Sequence, residues 1–125
     1  MSGDVIVLPP GDGERHERTD AVITIFAALP TLSVCEIAFD PSFEVGQHSH
    51  DDHVDAFYVL EGEIEFLLAD GPVRAGPGTF VAAPPGAVHG FRTPGPGRAR
   101  MLNVHGPDGG FAEMVRKTTR ELGVG

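Results

Sequence analysis

The chain of 125 residues has one cysteine, one tyrosine, one lysine and no tryptophan. Its lone cysteine, Cys35, cannot form an intrachain disulfide. A domain of this length buries roughly two-thirds of its unfolded surface and needs no such staple. Basic groups are scarce as well, with nine Lys and Arg against 18 Asp and Glu, a formal charge of −9. Phosphate backbones and anionic membranes are bound by clustered Lys and Arg, so neither nucleic acid nor membrane is expected as a partner. No apolar run approaches the roughly 18 residues of a membrane span. The first residues, MSGDVIVLPPGDGERHER, lack the basic start and long apolar stretch of a secretory signal, which leaves a cytoplasmic location as the default expectation.

Turn-forming residues are abundant instead. The 17 Gly and 11 Pro make up about a fifth of the chain, just under the roughly 25–30% that marks low complexity. With 41% hydrophobic residues arranged in short runs between turn signals, the pattern is one of many short strands. Ala21 to Leu29 is a run that ends at Pro30. Leu32 to Phe39 alternates, with Cys35, Ile37 and Phe39 on one face. Further strands are expected in 43–50, in 56–60, in 63–69 (where Ile64, Phe66 and Leu68 alternate with Glu63 and Glu65), and in PVRA, GPGTFVAA, PPGAVHGFR and RARMLNVH. Residues 5–8 (VIVL) form a short apolar strand stopped by Pro9. Residues 12–20 are expected to be a charged loop, in which His16 receives no role. From 110 to 122, Phe111, Met114, Val115 and Leu122 share a helical face, and Asp108 stands ready near the N-terminal end. No repeat and no linker divides the chain, so a single domain over 1–125 is expected. Its architecture would be a small all-β barrel or sandwich with one short C-terminal helix.

The histidines carry the chemistry. His48, His50 and His53 lie within six residues, beside Asp51, Asp52 and Asp55, and His89 follows Pro84-Pro85-Gly86. Neutral imidazole is a common metal ligand, and carboxylates partner it well. Residues two apart on a strand face the same way, so His48 and His50 can point at one ion. A solvated loop with scattered histidines is the plainer reading of a lone His-x-His.

The surrounding text decides between these readings. G46-QHSHDDHVDAFYVLEG62 and G78-TFVAAPPGAVHGFRT93 resemble, in order and spacing, the two motifs of the cupin superfamily. His48 and His50 match the histidine pair, Asp55 stands at the Glu position, and Gly62 closes the first motif. Gly78, Pro84, Gly86 and His89 match the second. Three positions depart: Gly46 sits closer to the histidine pair than usual, Asp55 replaces a longer Glu, and Thr93 replaces Asn. The resemblance implies a small cupin barrel, a double-stranded β-helix or jelly roll of two antiparallel sheets. Its motif-bearing core would span about 32–105. It also implies one divalent transition metal ion (Fe, Mn, Ni, Co, Cu or Zn) held by His48, His50, Asp55 and His89, with His53 as the alternative to Asp55. Three imidazoles and at most one carboxylate leave one to three positions open, as catalytic sites do.

Strand parity nominates the neighbours. Phe91 and Thr93 share the face of His89, while Met101, Asn103 and His105 share a face of the last strand. His105 is the candidate acid or base. Phe39, Phe57, Phe91, Met101 and Asn103 are candidates for the cavity, although the phenylalanines read first as core. Tyr58 points away from Asp55, and Cys35 reads as a small buried hydrophobe. The resemblance extends to single-domain cupins similar to quercetin dioxygenases. It implies a metal-dependent enzyme acting on a small organic molecule, first of all a dioxygenase. An isomerase, cyclase, dehydratase or lyase, or a binding domain without turnover, remains open. A homodimer is expected, with residues 5–8 or the 110–122 helix as contacts.

Overall fold

A computed structural model describes residues 3–121. Eleven strands and one helix follow in chain order. They are β1 (Glu14–Arg18), β2 (Ala21–Leu29), β3 (Leu32–Phe39), β4 (Glu44–His48), β5 (Val54–Glu61), β6 (Ile64–Leu68), β7 (Gly71–Ala75), β8 (Phe80–Ala83), β9 (His89–Arg92), β10 (Ala99–Gly106), α1 (Phe111–Thr118) and β11 (Arg120–Glu121). A seven-stranded sheet runs β11-β1-β2-β3-β10-β5-β8, and a four-stranded sheet runs β4-β9-β6-β7. All the pairings are antiparallel, giving the expected all-β architecture.

Local chemistry explains the strands. In β3, Ser33, Cys35, Ile37 and Phe39 are buried, while the residues between them are more exposed. The same alternation buries Ala99, Met101, Asn103 and His105 in β10. Two-residue turns at Thr19-Asp20, Pro30-Thr31 and Ala69-Asp70 close the hairpins β1–β2, β2–β3 and β6–β7. After β5, Gly62 turns with φ of 75°, and a side chain there would run into the carbonyl of Arg98. The facing sheets share one apolar core. Phe39, Phe43, Phe57, Phe66 and Phe91 meet with ring centroids 4.8–6.2 Å apart.

Three sequence expectations are corrected. Residues 14–18 form β1 and not a loop, and His16 is buried in it. Its Nε2 lies 2.5 Å from Glu14, which also accepts two bonds from Arg116 on α1. Tertiary partners more than a hundred residues away thus order a segment whose composition is that of a loop. Residues 5–8 join no sheet; Val5 and Val7 are exposed, and Ile6 and Leu8 lie along a surface groove with Phe26. The helix ends at Thr118, short of 122. Thr118 and Thr119 are β-branched and turn their hydroxyls back onto the carbonyls of Met114 and Val115, and the chain becomes extended and pairs with β1 as β11. Leu122 lies outside the described residues. At the other end of α1, Asp108 accepts hydrogen bonds from the amides of Gly110 and Ala112, the role expected of it.

Candidate metal centre

Strands from both sheets converge on one group of side chains. His48 comes from β4, His50 from the turn after it, Asp55 from β5 and His89 from β9. Each offers a ligand atom, and the four atoms lie within 4.8 Å of one another. His48 and His89 face each other as cross-strand partners, with ring centroids 4.4 Å apart.

A β-bulge sets this convergence. Glu44 pairs with Arg92 and Val45 with Phe91, but His48 then pairs with His89, so one extra residue has entered β4 at Gly46-Gln47. Without it the period-2 alternation would place Val45 and His48 on opposite faces. With it, both turn toward the interior, while Gly46 and Gln47 are exposed. Gly90 lies opposite the bulge, and a Cβ there would come within 2.7 Å of the Val45 carbonyl.

The imidazoles are oriented before any ion arrives. Nδ1–H of His48 donates to the Gly46 carbonyl at 2.8 Å, and Nδ1–H of His89 to the Ala87 carbonyl at 2.9 Å. A carbonyl only accepts, so Nδ1 carries a proton in each ring and Nε2 is the atom presented inward. The two oxygens of Asp55 divide their work. Oδ2 lies 3.0 Å from Nε2 of His89 and 3.6 Å from Nε2 of His50. Oδ1 accepts from Nδ2 of Asn103 at 2.6 Å and lies 3.3 Å from Nε2 of His105. Aspartate is therefore long enough in this position.

Electrostatics follow from these contacts. Burial pushes the Asp55 carboxyl up, but hydrogen bonds from His105, His89 and Asn103 overcome this and hold it well below the usual carboxylate range. The bond to Asp55 raises His89, whereas burial and the neighbouring His53 and His48 lower His50. An anionic oxygen among imidazoles, two of them held with Nε2 forward, is a donor set that fits a divalent transition metal.

His53 is not part of this group. It is buried beside it, stacked on His50 with centroids 4.2 Å apart, with Nδ1 bound to Asp52 at 2.8 Å. Gly109 packs so closely on its ring that a Cβ would overlap it. His105 stacks on Phe111 at 4.1 Å, and its Nδ1 is buried with no hydrogen-bond partner among the described residues. Thr93, at the Asn position of the resemblance, donates to the carbonyls of Asp40 and Pro41, tying β9 to the turn before β4.

A cavity of about 150 Å³ opens beside the cluster. Of the cavity candidates, Phe91 and Asn103 line it, as do His48, His50, Asp55 and His105. Phe39, Phe57 and Met101 instead lie in the core, because their strands carry them behind the lining layer. Sequence reasoning missed Arg18, Ile23, Phe43 and the inner face of α1, which complete the wall. The helical periodicity of α1 was a usable signal; nothing in 12–20 marked Arg18.

Comparison with known proteins agrees with this geometry. A quercetin 2,3-dioxygenase from Bacillus subtilis (strain 168) is 29% identical over 90 residues, which cover 69% of this chain and 27% of that protein. The chain thus spans about a quarter of that relative's length. Among solved structures, KdgF from Halomonas sp. superposes with a TM-score of 0.71 at 22% identity, covering 82% of this chain and 94% of the other. An RmlC-like cupin from Shewanella frigidimarina superposes with a TM-score of 0.71 at 19% identity, covering 84% and 92%. At these identities the two structures speak to the fold. Residues 35–105, more than half of the chain, match the Cupin domain family, and the protein belongs to that family.

Proposed function

We propose that this protein is a metal-dependent enzyme acting on a small organic molecule, and that its chemistry is that of a mononuclear-metal dioxygenase. The observation that carries the reading is the convergence of His48, His50, Asp55 and His89 at the wall of a partly apolar cavity. Similarity to a quercetin dioxygenase supports the subclass. The ion would supply Lewis-acid polarisation or one-electron exchange with dioxygen, according to the metal bound.

The protein's own groups do the rest. Asn103 anchors Asp55 and also donates to the Ala56 carbonyl at 3.0 Å, which fixes the carboxylate plane. His105 lines the cavity beside Asp55 and is the candidate acid or base, although its Nδ1, uncommitted among the described residues, is itself buried. Phe91, Phe43 and the helix face exclude water from the apolar side.

The test is oxygen uptake by metal-loaded protein with a panel of small substrates, beside elemental analysis. We expect about one equivalent of ion per chain. We also expect His105→Gln to lower turnover by about 10²–10⁴-fold with the ion content unchanged. The place of His105 at the cavity wall beside Asp55 favours one second reading, a proton-transfer isomerase or lyase on the same ion, and turnover without oxygen uptake would select it. Tight ligand binding with no turnover would reduce the protein to a binding domain. We further propose a homodimer. Val5 and Val7, 88% and 79% exposed, support it as apolar side chains without cover, and light scattering giving a monomer mass would refute it.

A further inference from the structure

The cavity beside the histidine cluster has two chemically unlike ends. One is the cluster with Asn103 and His105; the other is a rim made by Arg18, the last residue of β1, with Thr118 and Thr119 at the end of α1. Apolar side chains join them, among them Ile23, Ile37, Phe43, Phe91 and Met114. Arg18 stands in register with Ala21, Phe39 and Ala99, at the opposite end of β10 from His105, so the two ends are separated along the strands as well as across the sheet.

Arg18 is the one Arg or Lys among the described residues that line this cavity. It shares the inward face of β1 with His16. Its guanidinium sits 5.1 Å from the centre of the Phe43 ring, and Nε donates to Oδ1 of Asp20 at 2.8 Å. These contacts hold the side chain over the rim, and the bond to Asp20 uses only one of its five donors. The fork of terminal nitrogens that binds a carboxylate is on the other edge of the group. In a chain of net charge −9, an acidic ligand needs a local cation of this kind. Size narrows the ligand further. A cavity of about 150 Å³ is one in which an apolar interior takes up a molecule the size of benzene.

We propose that the substrate is a small organic acid, with a single ring or short apolar chain and one carboxylate. The carboxylate pairs with Arg18 at the rim, the apolar body lies against Phe43, Phe91 and Met114, and the far end meets His50, Asp55 and His105. Placing the reaction at that far end rests on the metal-enzyme reading above; the Arg18 contact itself needs no ion.

The experiment titrates 3-phenylpropanoate and its neutral counterpart 3-phenylpropan-1-ol into the whole chain, metal-loaded and metal-stripped, with ion content measured in parallel. In both forms the acid should bind at least about tenfold more tightly than the alcohol. Arg18→Met should erase that preference while leaving the affinity for the alcohol and the ion content unchanged, and Arg18→Lys should restore part of it. Unchanged acid binding in Arg18→Met would overturn the proposal. So would a preference for the acid seen only in the metal-loaded form, since the carboxylate would then be bound by the ion. A chain that takes up no ion yet keeps an Arg18-dependent preference would sink the metal-enzyme reading and leave this one standing.

Discussion

His16 and His89 are both 2% exposed, and each lies against a carboxylate, Glu14 at 2.5 Å and Asp55 at 3.0 Å. The two sites nevertheless do different things. Glu14 is saturated by Arg116, which donates from Nε and from a terminal nitrogen at 2.7 and 2.8 Å. A permanent cation already occupies that site, and a metal dication would be repelled from it. The pair closes α1 onto β1 and stops there. Around Asp55 there is no guanidinium among the four converging residues, and three imidazoles meet one carboxylate. A buried histidine–carboxylate contact alone therefore does not signal a metal centre. The number of lone pairs brought to one point, without a fixed positive charge among them, is what separates the two.

The largest expected effect tests that separation directly. His50→Ala or His89→Ala should weaken ion binding by more than about 100-fold, read by elemental analysis after dialysis against a calibrated chelator. His16→Ala should leave it unchanged, and equal loss in both would erase the distinction. Next in size, Asp55→Ala should cost about 10–100-fold in ion affinity, whereas His53→Ala should stay within about threefold. The reverse order would transfer the ligand role to His53.

A smaller effect belongs to the closed site. Glu14→Gln should destabilise the fold by about 1 kcal/mol at pH 7 in urea, the scale of a partly exposed charged pair. The hydrogen bond from Arg116, opposed by burial and helped by His16, takes the Glu14 carboxyl from 4.5 to about 2. A depressed carboxyl contributes fully above its unfolded value, and the contribution fades as pH falls through the folded one. The gap between wild type and variant should therefore narrow from pH 4.5 toward 2. Smallest of all, Tyr58→Phe, on the outer face of β5, should leave ion content unchanged and stability within about 0.5 kcal/mol.

The grouping of residues at the candidate metal centre was legible where local alternation settles the matter. His89 with Phe91, and Met101 with Asn103 and His105, follow from the two-residue period of a strand. Asp55 was legible through motif spacing. What stayed hidden depends on contacts distant in sequence. His16 looks solvated until Arg116 and Glu14 close over β1, and Arg18 looks like a loop charge until Phe43 and α1 put a cavity beneath it. The end of α1 was overrun because Leu122 continued the apolar period, while the two threonines that stop it carry only a weak propensity signal.

The bulge at Gly46-Gln47 has a consequence for how this chain tolerates changes in length. Loops such as 69–70 or 94–97 lie between strands and can grow or shrink with the histidine cluster intact. Deleting Gln47 alone would leave Val45 and His48 two apart in a regular ladder with His48 still opposite His89, whereas one further residue there, with only this bulge to absorb it, would rotate His48 toward solvent. The length of this short segment is thus open to loss of its extra residue and closed to gain of another.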